Sequence, residues 1–360
     1  MDVYRDGQFV ATHVCQRGRW IYQIPPEQRQ SKTYVRLKLR DILAARYFFR
    51  LIAATYPDCP AIDYFIGVES INALLGYAAR RRLRIRKTVF YIFDWSLQRY
   101  ANALMNKVFL LLDRWACERA DFIWNISWAI EKARRDFLHY DPRRIGLQLT
   151  VPYGAEFRQS LVQPFEALEK YKVIFTGGFY EDNGVLMLME IASEVQKRNP
   201  RVQFLLAGDG PLLEQLRSQE RERGVRNVTF LGHIHDHERL DKLMCQGLIG
   251  LAPYPDTQVS TKKYGDVIKI RTYLACGLVV VSTHIPPVAK EIADEHLGIV
   301  TPVNAPAMAE AILELCADEP RLRQCRENVI RKAGQHSWDD IFDRTFRRMA
   351  GSAEENRTKS

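Results

Sequence analysis

From about residue 63 onward, continuous apolar runs alternate with amphipathic stretches. Residues 63–68 (DYFIGV) form an aromatic and β-branched run that ends at a Glu-Ser-Ile-Asn turn. Residues 71–82 follow with helical spacing, 87–93 (KTVFYIF) read as a second strand and 97–118 as a long helix. Residues 121–126 (DFIWNI) predict a third strand, 128–137 a helix and 147–151 a fourth strand. Strands that are apolar throughout belong to parallel sheets covered on both faces. The rhythm breaks over 156–172, where Pro164 and scattered polar residues predict a domain boundary.

Alternation then resumes. A strand at 173–176 ends in Gly177-Gly178, and a helix covers 184–197. A strand at 202–207 ends in Gly208-Asp209-Gly210-Pro211, followed by helix 212–223 and strand 228–231. Helix 237–244, strand 248–251, helix 267–276 and strand 279–282 complete the pattern, with helices at 305–317 and 321–332. Ser337-Trp-Asp-Asp340 reads as the N-cap of a last helix reaching residue 349. The expected fold is α/β: two doubly wound halves facing one another, with ligands at the carboxyl ends of the strands in an interdomain cleft. The expected division is 1–165, 166–335, a helix over 336–350 that packs back on the first domain, and a disordered tail over 351–360.

Composition sharpens this in one respect. At 360 residues, 47% hydrophobic and 26% charged, wholesale disorder is excluded. The net charge of +9 is unevenly placed. Residues 1–165 carry 26 Lys and Arg against 15 Asp and Glu, whereas the remainder carries 26 against 28. Such asymmetry points one half at an anionic partner, either a membrane or a nucleic acid. Seven widely spaced cysteines without a CxxC pair argue for a reducing cytosol rather than a disulfide frame or a cysteine zinc site. The opening residues lack a basic and apolar leader pattern, and no run of about 18 apolar residues occurs, so membrane contact is expected to be peripheral.

Each glycine turn of the second half frees backbone N–H groups at a helix start, where a phosphate can bind, although a plain tight turn reads the same way. Their order is more specific. Strand-Gly177-Gly178, strand-Gly208-Asp209-Gly210-Pro211, VTFLG at 228–232, Leu251-Ala-Pro-Tyr254 and DVIKIRTYLACG at 266–277 follow in turn. In this order the chain resembles the retaining glycosyltransferases of the GT-B fold, group-4 type, over about 63–349 and most strongly over 173–300.

The resemblance implies a nucleotide-sugar donor. It places Gly177, Gly178, Asn183, Gly184, Asp209, Gly210 and Tyr254 around that donor and gives Lys269 its phosphates. Thr272 stands where the family has a Glu that holds the ribose, and Tyr264 where it has a Glu at the sugar end. Gly178 and Asn183 replace an Arg and a Lys of the diphosphate clamp. Lys262, Lys263 and Arg271 are candidates to supply the missing charge; otherwise the donor site is weak or nonstandard. Lys269 also reads as an ordinary solvated helix-start lysine. The resemblance further implies retention of configuration, and no metal or other cofactor, because protein cations would neutralise the diphosphate.

In the first half, YFIGVESINALLG, VFYIFDWSLQRY and ADFIWNIS resemble the acceptor domain of polysaccharide-biosynthesis members. Asp94 and Glu69 end strands at the cleft edge, where a carboxylate can orient an acceptor hydroxyl or take its proton. Each also reads as a helix N-cap, as does Ser127. The family's opening strand, glycine-rich loop and helix have no counterpart in MDVYRDGQF or in the segment around His13 and Arg19-Trp20. The first domain is therefore expected to be shortened. A divergent start, a truncated reading frame and a lost acceptor loop all fit this reading.

The run Arg80-Arg-Arg-Leu-Arg-Ile-Arg-Lys87, together with Arg36, Lys38, Arg40, Arg46 and Arg50, suits either a solvated edge or a face for anionic lipid. No nucleic-acid module is present. His233, His235 and His237 miss a zinc spacing by one residue. The expected protein is a cytoplasmic glycosyltransferase, peripheral at the inner face of the membrane, acting on a glycan or lipid-linked acceptor in surface polysaccharide assembly. A nucleotide-sugar epimerase and an inactive relative that binds glycan or a partner are the alternatives.

Overall fold

The computed structural model describes residues 2–5, 8–16, 19–24, 61–168, 171–257 and 261–357, with 2–24 and 352–357 as backbone only. Arg36, Lys38, Arg40, Arg46, Arg50 and Cys59 lie outside the described residues, as do the side chains of His13 and Cys15.

The first stretch holds strands β1 (Asp2–Arg5), β2 (Gln8–Gln16) and β3 (Arg19–Ile24), an antiparallel sheet in that order. The sequence reading found no strand here, because polar residues interrupt every apolar run of this segment.

The first parallel sheet has the order β4 (Ile62–Val68), β5 (Ile85–Ile92), β6 (Phe122–Asn125), β7 (Leu147–Thr150). Helices α1 (Glu69–Ala79), α2 (Ala103–Arg119) and α3 (Trp128–Asp136) make the crossovers. The central strands are buried on both faces, with Val89, Phe90, Ile92, Ile123 and Trp124 fully enclosed. Helix α2 starts six residues later than its apolar pattern suggests. The Asn106 side chain accepts from Arg99 N at 2.9 Å and donates to Leu97 O at 2.8 Å, holding 97–100 in a loop. Asn102 then caps the helix through Met105 N. A fully buried pair ties α3 to α2: Arg134 donates to Asp113 through Nε at 2.9 Å and through Nη2.

The second sheet is also parallel, six strands in the order β10-β9-β8-β11-β12-β13. These are β8 (Lys172–Thr176), β9 (Gln203–Ala207), β10 (Val228–Gly232), β11 (Ile249–Ala252), β12 (Val279–Thr283) and β13 (Gly298–Thr301). Its helices are α4 (Leu188–Arg198), α5 (Leu213–Glu222), α6 (His237–Cys245), α7 (Ile268–Ala275), α8 (Val288–Asp294), α9 (Ala305–Ala317) and α10 (Glu319–Ala333). The sequence reading lacked α8 and β13. A seven-residue helix and a four-residue edge strand are too short to display a period. The strand order reverses at β8, which puts the switch point of the sheet beside Gly177.

After α10 the chain returns to the first sheet as α11 (Trp338–Arg357). Ser337 Oγ accepts from Asp340 N at 3.1 Å while Asp340 accepts from Ser337 N at 3.2 Å, a reciprocal cap. Ile341 and Met349 join the first core, and Phe342 and Phe346 pack on Trp124. The helix runs eight residues beyond residue 349, so most of the expected disordered tail is helical backbone.

Candidate active site

The carboxyl ends of both parallel sheets meet across direct contacts. Tyr264 of the second half packs edge-on against Trp95 of the first at 5.0 Å, and its carbonyl accepts from Ser127 Oγ. Trp128 Nε1 donates to Pro287 O at 3.2 Å, and Tyr153 N donates to Asp266 Oδ2 at 2.9 Å. Ser127 also caps α3 through Ala129 N.

On the second-half side, β8 and β9 continue their pairing into the glycine turns: Gly177 N donates to Ala207 O and Phe179 N to Asp209 O, both at 2.9 Å. Gly177 has φ +130°, and a Cβ there would stand 3.1 Å from Lys269 Cε and 3.3 Å from its Nζ. Gly184 has φ +72°, and a Cβ there would fall 1.6 Å from Pro253 O, so only glycine fits. Asn183 Nδ2 donates to Gly178 O at 2.8 Å and closes the loop between them. Asp209 accepts from its neighbour Gly210 N at 2.7 Å, and its side chain is exposed.

Lys269 enters from the first turn of α7. Its Nζ lies 3.9 Å from the Phe175 ring centroid and 5.3 Å from that of Tyr254. This nitrogen is buried and has no hydrogen-bond partner among the described residues. Burial first, then the neighbouring Lys262 charge, push its pKa down to about 7. A buried ammonium over aromatic faces, at a glycine turn on the switch point, is suited to an anionic partner.

The other predicted donor residues have different positions. Tyr254 is 1% exposed, a floor beneath Lys269 rather than a surface for a ligand hydroxyl. Thr272 Oγ1 donates back to Ile268 O at 3.0 Å within its own helix. Tyr264 faces Trp95 and the first half. Arg271 does not supply charge at the glycine turns: it is buried against Asp266 at 2.9 Å and Glu291 at 2.8 Å. Lys262 lies 4.0 Å from Asp182, and Lys263 pairs with Asp256.

On the first-half side, Asp94 and Glu69 converge. Asp94 pairs with Arg99 at 2.7 Å, and Arg99 also donates to its carbonyl at 2.7 Å. Burial opposes the Arg99 charge, but Asp94 and, more weakly, Glu69 outweigh it. Burial and then the carboxylates of Asp266, Asp94 and Glu69 push the Tyr153 phenol up to about 12. Glu69, Asp94, Arg99 and Tyr153 therefore share one neighbourhood, which sequence spacing does not show for the last two. Asp94 caps no helix, since α2 begins at Ala103. Glu69 opens α1 with φ +65°, a strained conformation for a side-chain-bearing residue, of a kind that concentrates at functional sites.

The histidine run carries no comparable geometry. His233 and His235 stack edge to face at 4.3 Å, and Asp236 is engaged in capping α6. Among the described residues no group of His, Cys, Asp and Glu is arranged to hold a metal, and no helix is long and apolar enough to cross a membrane.

Two facing parallel sheets with glycine turns at the switch point of the second define the GT-B class. Residues 170–318 match the family described as "Glycosyl transferases group 1". Among named relatives, the chain is 29% identical over 154 residues to an alpha-D-kanosaminyltransferase of Streptomyces kanamyceticus, covering 42% of this chain and 38% of that protein. It is 25% identical over 210 residues to the gpi3 subunit of phosphatidylinositol N-acetylglucosaminyltransferase of Schizosaccharomyces pombe, covering 57% and 43%. The chain thus spans less than half the length of these relatives. HepE of Anabaena, solved in complex with UDP, superposes with a TM-score of 0.64 at 17% identity, over 85% of this chain and 82% of that one. At that identity the likeness concerns the fold.

Proposed function

We propose that this chain transfers a sugar from a nucleotide-sugar to a glycan or lipid-linked acceptor, with retention, in surface polysaccharide assembly. The observation that carries the reading is the buried, unpartnered Lys269 ammonium beside Gly177 at the switch point. A diphosphate there gains a cation that needs no reorganisation, and the aromatic floor keeps the interaction dry. Protein cations rather than a metal neutralise the diphosphate in this reading. Asp94, oriented by Arg99, accepts a hydrogen bond from the acceptor hydroxyl, and the strained Glu69 lies beside it. The enzyme works in the cytoplasm at the inner face of an anionic membrane. The named relatives are transferases, which speaks for transfer over epimerisation or passive binding.

Calorimetry with UDP, GDP and their sugars tests the reading. Binding of one nucleotide, lost in Lys269→Ala, is expected. Failure of all of them at millimolar concentration would sink it. Interconversion of free nucleotide-sugar without acceptor would establish the epimerase instead.

A further inference from the structure

Helix α2 presents an apolar stripe to solvent. Leu104 is 71% exposed, Val108 46%, Leu111 43% and Trp115 43%. At about 100° per residue these positions fall within roughly 60° of arc, along a line about 17 Å long. Single exposed apolar residues are ordinary on a protein surface; four in register on one helix face mark a contact. The opposite face, with Phe109, Ala116 and Cys117, is buried in the first core, so α2 is apolar on two sides.

The flanks are basic. Lys107, Arg114 and Arg119 border the stripe and are exposed. Of the two acids on the helix, Asp113 is buried against Arg134 and Glu118 pairs with Arg114 at 3.0 Å. Helix α1 packs against α2, and the exposed Arg81, Arg82 and Arg84 follow its end. By contrast Arg80 and Lys87 pair with Asp121, and Arg86 with Asp63, so half of the densest positive run is already engaged. At the other end of α2, the loop that begins at Asp94 lines a cavity of about 510 Å³ with Leu97, Tyr100, Ala101, Asn106 and Lys107.

We propose that α2 docks on an anionic lipid bilayer, its apolar stripe at the boundary of headgroups and acyl chains and its flanking cations at the phosphates. This deepens the membrane part of the reading above and rests on it. Charge selects the occupant: a second copy of this face would bring like charges together, whereas an anionic surface complements them. Both helices run back from the carboxyl edge of the first sheet, so the N-terminus of α2 sets the bilayer beside Asp94. A lipid-linked acceptor then reaches the carboxylate without leaving the membrane plane.

The test is co-sedimentation of the full chain with vesicles of phosphatidylcholine alone or with about one third phosphatidylglycerol. At least about tenfold tighter binding to the anionic vesicles is expected, weakening as salt rises. The double variant Val108→Glu/Leu111→Glu should lose about tenfold or more of this binding with an unchanged melting temperature. In the parent, brominated lipid should quench Trp fluorescence, and Trp115→Phe should remove most of that quenching. Anionic binding untouched by the double variant, or quenching untouched by Trp115→Phe, overturns the proposal. So does a parent dimer that the double variant dissolves, which would make the stripe a self-contact. Absent vesicle binding with nucleotide binding intact removes the docking surface and leaves the transferase reading standing.

Discussion

Replacing Lys269 with Met separates a binding role from a packing role, because the two effects have opposite signs. Met retains the length and apolar stem over Phe175 and Tyr254 but removes the desolvated ammonium. The amine falls from its ordinary 10.5 to about 7 in the folded chain. At about 1.4 kcal/mol per pH unit, that gap amounts to roughly 4 kcal/mol of native-state penalty at pH 7, and dielectric relaxation reduces what is realised to about 2 kcal/mol. The unfolded chain binds the proton more tightly than the native one, so native stability rises with pH across this window. The penalty is full below pH 7 and gone by about pH 10.5. Urea denaturation should therefore find Lys269→Met more stable than the parent at pH 6, with the gap closing toward pH 10.

Nucleotide binding should move the other way. Losing a buried charge-assisted hydrogen bond to phosphate costs about 2–3 kcal/mol, or roughly 30- to 150-fold in the calorimetric affinity for UDP or GDP. In the parent, affinity should also fall as pH rises above 7, because the free amine becomes neutral; in the variant this slope should be flat. A variant that binds the nucleotide within about threefold of the parent refutes the phosphate assignment. A variant destabilised by more than about 1 kcal/mol shows that the ammonium is satisfied in solution.

Two further substitutions probe the strained and ion-paired parts of the site. Glu69→Gly should melt within about 1 kcal/mol of the parent, since glycine relieves the positive φ, whereas Glu69→Val should lose about 2 kcal/mol; both should lower the rate of sugar transfer. Glu291, partly buried, is held down to about 2 by Arg271 and Lys332 against the pull of burial. Its carboxylate stabilises the native state above pH 4.5, and this is lost as pH falls toward 2. Glu291→Gln should cost about 3 kcal/mol at pH 7 by chemical denaturation and flatten the acid limb of the stability profile.

The sequence alone determined the alternation of apolar strands and helices, hence two parallel sheets, and the order of glycine turns in the second half. These are local properties: a buried parallel strand must be apolar throughout, and a turn in which Gly177 and Gly184 take positive φ favours glycine. Tertiary structure decided what the side chains of the site do. Thr272 bonds its own helix, Arg271 is enclosed by Asp266 and Glu291, and Tyr264 turns toward Trp95. No spacing rule reports these outcomes, because each partner is brought in by another element. The same holds for α2, where periodicity identifies a helix but not which apolar face is buried. Only packing showed that one face is covered by the first core while Leu104, Val108, Leu111 and Trp115 remain exposed. Lys269 is the clearest case. Its position in the chain fits a solvated helix start, and only the fold removes its ammonium from water and leaves it without a hydrogen-bond partner among the described residues.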